Sequence, residues 1–158
     1  MTFSPAIPFS GFGGWTVLKR TAPTQKATFD AQPQVKRDAD YFRANIAKIK
    51  SADDLVADRR LLRVALTAFG LEGDINNKAF IRKVLAEGTL KTEAFANRLA
   101  DKQYQKLSAA FGFGDFATPR NVISDFADKI LSQFRERGFE TAVGTQNKIG
   151  RASCRERV

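Results

Sequence analysis

From Pro33 onward, apolar residues fall at helical intervals. Val35, Phe42, Ile46 and Ile49 recur at steps of seven, four and three, one stripe of a helix with about 3.6 residues per turn. Ser51 begins a second helix: its hydroxyl can accept from the Asp54 amide, and Asp53 and Asp54 suit the positive end of the helix dipole. Leu55, Leu62, Leu66 and Phe69 form the buried stripe of that helix, and Gly70 supplies a left-handed stop. A third helix is expected from Asp74, with Phe80, Ile81, Val84 and Leu85 on one face and Gly88 at its end. Thr92 is the cap expected for the next segment, in which Phe95, Leu99, Leu107 and Phe111 share a side; Asp101 is a candidate break within it. Gly112 and Gly114 close it. Thr118-Pro119 reads as the start of another helix carrying Ile123, Phe126, Ile130 and Phe134, with Gly138 as its terminator.

The opening of the chain has none of this periodicity. Pro5, Pro8, Gly11, Gly13, Gly14 and Pro23 punctuate residues 1–31, with Phe9, Phe12, Trp15, Val17 and Leu18 among them. Such density of helix breakers predicts an extended arm, with Trp15 to Leu18 docking on the body. Gly11-Phe12-Gly13-Gly14 is no phosphate loop, since it lacks a preceding strand and a lysine-serine ending. No alternating β-branched run suggests a strand. The expectation is an all-α fold: an irregular bundle of five or six amphipathic helices over residues 32–147, preceded by the arm.

One internal echo occurs. Leu66-Thr-Ala-Phe69-Gly70-Leu71 resembles Leu107-Ser-Ala-Ala-Phe111-Gly112-Phe113, 42 residues on, but two copies do not make a solenoid. Two helices using the same Phe-Gly ending is the simpler reading.

Composition changes the picture in two places. The chain of 158 residues has 14 phenylalanines against two tyrosines and one tryptophan, which predicts a core of rings without hydroxyls. Its formal charge is +9, from 26 basic and 17 acidic residues. Part of that charge lies in residues 148–158, Lys-Ile-Gly-Arg-Ala-Ser-Cys-Arg-Glu-Arg-Val, which spell out the translation of a short-read sequencing adapter and are set apart from the fold as an artefact. Without Lys148, Arg151, Arg155, Arg157 and Glu156 the balance is 22 basic to 16 acidic residues, or +6. The only cysteine, Cys154, belongs to the same string. Nothing in the remaining chain reads as a secretory signal or a membrane span, so a cytoplasmic protein is expected.

Candidate chemistry is sparse. Histidine is absent from the sequence, so the side chain that titrates nearest neutrality is missing, and thiolate chemistry goes with the tail. Three acidic groups remain: Asp38/Asp40, Asp53/Asp54/Asp58 and Asp125/Asp128. Their positions on opening turns and outer helix faces read as solvated surface. Arg59, Arg60, Arg63, Arg82 and Lys83 are likewise expected on outward faces, interleaved with acids rather than gathered into a stripe. Neither catalytic, cofactor-binding nor metal-binding residues are expected, no cofactor, and no small-molecule substrate.

Longer strings carry a resemblance. Gly14-Trp15, Leu18-Lys-Arg-Thr21, Asp54-Leu55-Val56-Ala-Asp58-Arg59-Arg60-Leu61-Leu62, Ala68-Phe69-Gly70-Leu71, Lys78-Ala-Phe80-Ile81-Arg82-Lys83-Val84-Leu85 and Phe95-Ala-Asn97-Arg98-Leu99-Ala-Asp101 resemble an alphaproteobacterial family of unknown function. Genes of that family often lie in flagellar clusters, and its members are commonly labelled flagellar proteins. The resemblance covers nearly all of residues 1–147. It implies no catalytic or ligand residue, and it implies a longer chain, because Phe139-Glu-Thr-Ala-Val143-Gly144 resembles the middle of the family's domain. A domain incomplete at its C-terminus is therefore expected.

The function expected on these grounds is that of a non-enzymatic structural or interaction protein of flagellar assembly or motility. Its partners would be flagellar components or further copies of itself, with the arm as a partner-binding tail or a signal for export through the flagellar apparatus. The alternative is a nucleic-acid-associated or regulatory helical module, which the residual positive charge motivates and the interleaved acids disfavour.

Overall fold

The computed structural model describes residues 3–7 and 11–155, with side chains described as far as residue 145. Among these residues there are eight α-helices, joined in places by 3-10 turns, and no strand. The all-α irregular bundle expected from the periodicity is what forms, in more and shorter pieces.

The opening segment differs from expectation. Instead of an extended arm, Gly11–Asp30 forms a helix, α1, with Pro23 inside it. Local propensity argues against this helix; packing decides it. Phe29 stacks edge-on against Phe3 at 5.6 Å and meets Phe139 at 6.1 Å, closing an aromatic trio between α1 and the last helix. The side chain of Gln25 donates to the Ala6 carbonyl and accepts from the Ala6 amide, which lays the leading strand of chain along α1. Leu18 is buried as expected; Trp15 is not. Phe9 and Pro8 lie outside the described residues, as does the side chain of Cys154.

Pro33–Asn45 forms α2, with the proline in the first turn, where a missing amide costs nothing. Its stripe of Val35, Ala39 and Phe42 continues through a 3-10 turn into Ile46 and Ile49, and all five are buried. The helix expected from Ser51 divides into α3, Ala52–Ala57, and α4, Arg59–Ala68. Ser51 caps α3 as expected, accepting from the Asp54 amide at 3.2 Å. The division comes from Asp58, whose carboxylate accepts from the Arg60 and Leu61 amides and so starts a new helix. Within α4, Leu61, Leu62, Val64, Ala65 and Leu66 are almost wholly enclosed, which makes it the axis of the bundle.

The end of α4 bears out the stop signal. Gly70 has φ of +71°, the Leu71 amide reaches the Leu66 carbonyl at 2.8 Å, and the Gly70 amide reaches Thr67. This double closure is the Schellman arrangement, which needs a residue free to adopt positive φ. Its sequence echo at Phe111-Gly112 ends a helix too, through a single bond from the Gly112 amide to the Ser108 carbonyl.

Helix α5 runs from Lys78 to Glu87, later than the Asp74 start expected, because Glu72–Asp74 winds into a 3-10 turn and the Asp74 carboxylate is taken by Asn77 and Tyr104. Thr92 caps nothing: α6 is a single turn, Phe95–Arg98, preceded by Ala94. Asp101 does break the segment, capping α7, Lys102–Phe111, by accepting from the Gln103 amide.

Helix α8, Phe126–Arg155, differs at both ends from expectation. Thr118-Pro119 does not start it. Buried Asn121 instead donates to the Ile46 and Ile49 carbonyls at 2.6 and 2.7 Å, tying residues 120–122 to the end of α2 as a 3-10 turn. Nor does Gly138 stop it. The glycine sits where a Cβ would come within 2.9 Å of the Phe29 ring, so its missing side chain admits α1 rather than ending the helix. The core likewise differs in make-up: Phe42, Phe69, Phe111, Phe126, Phe134 and Phe139 are buried, but leucine, isoleucine and alanine fill most of the rest.

Candidate partner-binding groove

Residues of α7 and α8, with Phe69 at the C-terminal end of α4, line an open recess. Phe69, the last residue of the α4 turn, forms the floor with Phe126 and Ile130 of α8 and Ala109 and Ala110 of α7. The recess has a volume of about 640 Å³. A second recess of about 270 Å³ shares Phe69, Lys106 and Gln133 with it and extends it along α8 towards Glu140. Together they make a continuous groove.

Two features of the chain create the groove. The α8 positions 126, 130 and 133 follow one another at four and three, so one side of the helix faces α7. The turn anchored by Asn121 then holds Val122 and Ile123 outward, 50% and 52% exposed, with Ile123 lining the larger recess. Ile123, expected in the core stripe of a helix, is thus a surface residue. It brings apolar surface to the rim, and Phe116, 41% exposed, lies beside it under Arg120.

The rim of the larger recess is cationic, whereas the smaller recess adds Arg137 together with Glu136 and Glu140. Lys106, Arg120 and Lys129 surround the larger recess against one acid, Asp125, which pairs with Lys129 at 2.6 Å. The hydrogen bond from Lys129, aided by its charge and opposed by partial burial, holds the Asp125 carboxyl below its ordinary range. The Arg120 guanidinium lies over the Phe116 ring at 4.7 Å.

The acidic groups singled out in the sequence are dispersed. Asp38 is the correction among them: it is not solvated surface but 4% exposed, held by Arg60 at 3.4 Å and Arg63 at 2.6 Å from α4 and by Gln34 at 3.0 Å. An aspartate on the inner side of α2 beside apolar Val35, Ala39 and Phe42 was the available signal, since Asp38 shares their helical face. Asp54 accepts from the Lys50 amide and Asp53 pairs with Arg82 at 2.9 Å. Asp58 caps α4 and also accepts from the Tyr41 hydroxyl. Asp128 binds Arg43 at 2.7 Å. Among the described residues no group of three or more acidic, cysteine or histidine side chains gathers closely enough to hold a metal ion, and no helix is long and apolar enough to cross a membrane.

Residues 68–153 match the family described as protein of unknown function, DUF1217. That span includes the floor and both walls of the groove. Among solved structures, the chain is similar to the crystal structure of protein AGR_C_984 from Agrobacterium tumefaciens, with 31% identity and a TM-score of 0.77. The likeness covers 93% of this chain, which spans 66% of the length of the Agrobacterium protein. None of the curated proteins matches it.

Proposed function

The chain belongs to the DUF1217 family, and from that premise we propose that it is a non-catalytic interaction protein whose α7–α8 groove receives an amphipathic helix of a protein partner. The observation that carries this reading is the larger recess, with an apolar floor of Phe69, Phe126 and Ile130 beneath a rim of three cations and one acid. A helix entering such a groove presents apolar anchors to the floor and acidic residues to Lys106 and Arg120. The like charge of the chain, +6 without residues 148–158, makes a second copy the poorer occupant.

The finer assignment, to flagellar assembly or motility, rests on the resemblance of the strings around Trp15, Asp58 and Phe80 to a family encoded near flagellar genes. The nucleic-acid alternative is disfavoured by the acids interleaved with the basic residues, of which Arg43, Arg60, Arg63 and Arg82 are each engaged by a carboxylate.

The test places Ile123→Glu and Lys106→Glu separately in the chromosomal gene of a motile host, alongside a clean deletion. Ile123 is half exposed, so its replacement spares the core. The expected result is impaired swimming for the deletion and for both substitutions, with loss of a partner crosslinked through a photoreactive residue at position 122. A deletion strain that swims and builds filaments normally overturns the flagellar assignment. Crosslinking unchanged by both substitutions overturns the groove.

A further inference from the structure

The outer face of α1 carries two exposed aromatic rings and belongs to no site described above. Phe12 is 85% exposed and Trp15 62%. On a helix, positions 12, 15 and 19 lie within one narrow sector, so Lys19 continues the same ridge, and exposed Arg20 flanks it. The opposite face holds Gly14, Leu18, Thr21 and Gln25, which turn towards the body. Hence the rings do not face outward for lack of an inner side; α1 has one, and it is in use.

Charge distinguishes this ridge from the rest of the surface. Residues 1–29 contain no acidic side chain, while Lys19, Arg20 and Lys26 are all basic. Lys26 is paired with Glu136 at 3.8 Å, whereas Lys19 and Arg20 have no ion pair among the described residues. From Asp30 onward acids interleave with the cations along the chain, as in Asp58-Arg59-Arg60 and Arg135-Glu136-Arg137. Here two neighbouring cations stand unneutralised next to an indole and a phenyl ring.

We propose that the outer face of α1 binds an anionic lipid surface, with Phe12 and Trp15 inserted among the headgroups and Lys19 and Arg20 on lipid phosphates. An amphipathic helix with rings on one side and lysine or arginine at the edge lies in the plane of a bilayer interface, and tryptophan is suited to that depth. Shape favours lipid over a folded partner. A convex ridge needs a matching groove on a protein, but a bilayer makes room by parting its headgroups. Shape and number also favour lipid over nucleic acid: two cations make too few phosphate contacts for salt-resistant binding, and Phe12 and Trp15 line no channel along which bases could stack. None of the four residues lines the α7–α8 groove, so this inference stands or falls apart from the proposed function.

Trp15 is the sole tryptophan and therefore reports on its own site. The experiment records its emission while the full chain is titrated with vesicles of phosphatidylcholine alone or mixed with phosphatidylglycerol. The expected result is a blue shift and co-sedimentation with the mixed vesicles only. Lys19→Gln and Arg20→Gln each weaken that binding about fivefold, and Phe12→Ser weakens it roughly tenfold or more. Circular dichroism should stay unchanged for all three, since each replaced side chain is exposed. Unshifted emission with the mixed vesicles overturns the proposal, as does binding that the two cation variants leave intact. Quenching by single-stranded DNA without any vesicle effect overturns it in favour of nucleic acid. A blue shift that depends on protein concentration and needs no vesicle overturns it in favour of self-association.

Discussion

Arg63 of α4 reaches across the seam to α2 and donates to the Asp38 carboxylate at 2.6 Å, where that carboxylate is only 5% exposed. Arg60 donates to its other oxygen and lies over the Tyr41 ring at 4.2 Å. The pair fixes the register of the two helices that enclose most of the core. Removing the carboxylate leaves two guanidinium groups that are each about half solvated, so the loss should be moderate. Asp38→Ala is expected to lower unfolding free energy by roughly 2 kcal/mol, read as a fall in urea midpoint at unchanged slope. Asp38→Asn, which keeps the shape and the Gln34 contact, should lose less.

A second carboxylate, Asp115, clasps the start of the α5–α6 connection. Its oxygens accept from the Thr89 and Leu90 amides at 2.7 and 2.9 Å and from the Thr89 hydroxyl at 2.8 Å. Partial burial pushes its pKa up, but the Leu90 and Thr89 amides, the Thr89 hydroxyl and the Arg120 charge together outweigh it and hold it below the ordinary 3.8. A carboxyl with a lower pKa folded than unfolded contributes stability above 3.8 and loses it as pH falls through the folded value. Asp115→Asn should therefore reduce stability at neutral pH and show a flatter decline below about pH 4. Denaturant midpoints of both proteins across that range are the measurement.

Both tyrosines donate to carboxylates, Tyr41 to Asp58 and Tyr104 to Asp74. The bond to Asp74, then burial, then the Asp74 and Asp101 charges push the Tyr104 hydroxyl up to about 12; Tyr41 is raised too, first by its bond to Asp58. Since the folded pKa lies above the unfolded value of 10.0, the Tyr104 contribution is fully present below pH 10 and is lost as pH rises towards 12. Alkaline titration of phenolate absorbance in the native chain should show a late step displaced to about 12, which belongs to Tyr104. In urea both rings should titrate together at about 10. Tyr104→Phe should abolish the later native step.

Gly138 separates two roles that a glycine in a helix can have. Alanine there gains about 1 kcal/mol of helix propensity, while its Cβ presses on the tip of the Phe29 ring. The ring tip can yield, so Gly138→Ala should be close to neutral in stability. Gly138→Leu should instead force α1 from α8, seen as faster tryptic cleavage at Lys19, Arg20 and Lys26 with the rest of the bundle intact. If glycine were merely a failed stop signal, Leu would stabilise the chain and leave cleavage unchanged.

The sequence was enough to show a helical protein, its buried stripes at Val35 to Ile49, Leu55 to Phe69 and Phe80 to Leu85, its left-handed stop at Gly70 and its helix ends at Gly88 and Gly112. Those features follow from local physics: a helix must turn one face inward, and positive φ favours glycine. Contacts distant along the chain decided the rest. Helix α1 exists because Phe29 finds Phe3 and Phe139, and α8 starts late because Asn121 is drawn to carbonyls more than 70 residues away. The groove belongs to this second class. Its floor joins Phe69 to Phe126 and Ile130, and no periodicity within one helix can tell whether the next will cover that floor or swing clear of it.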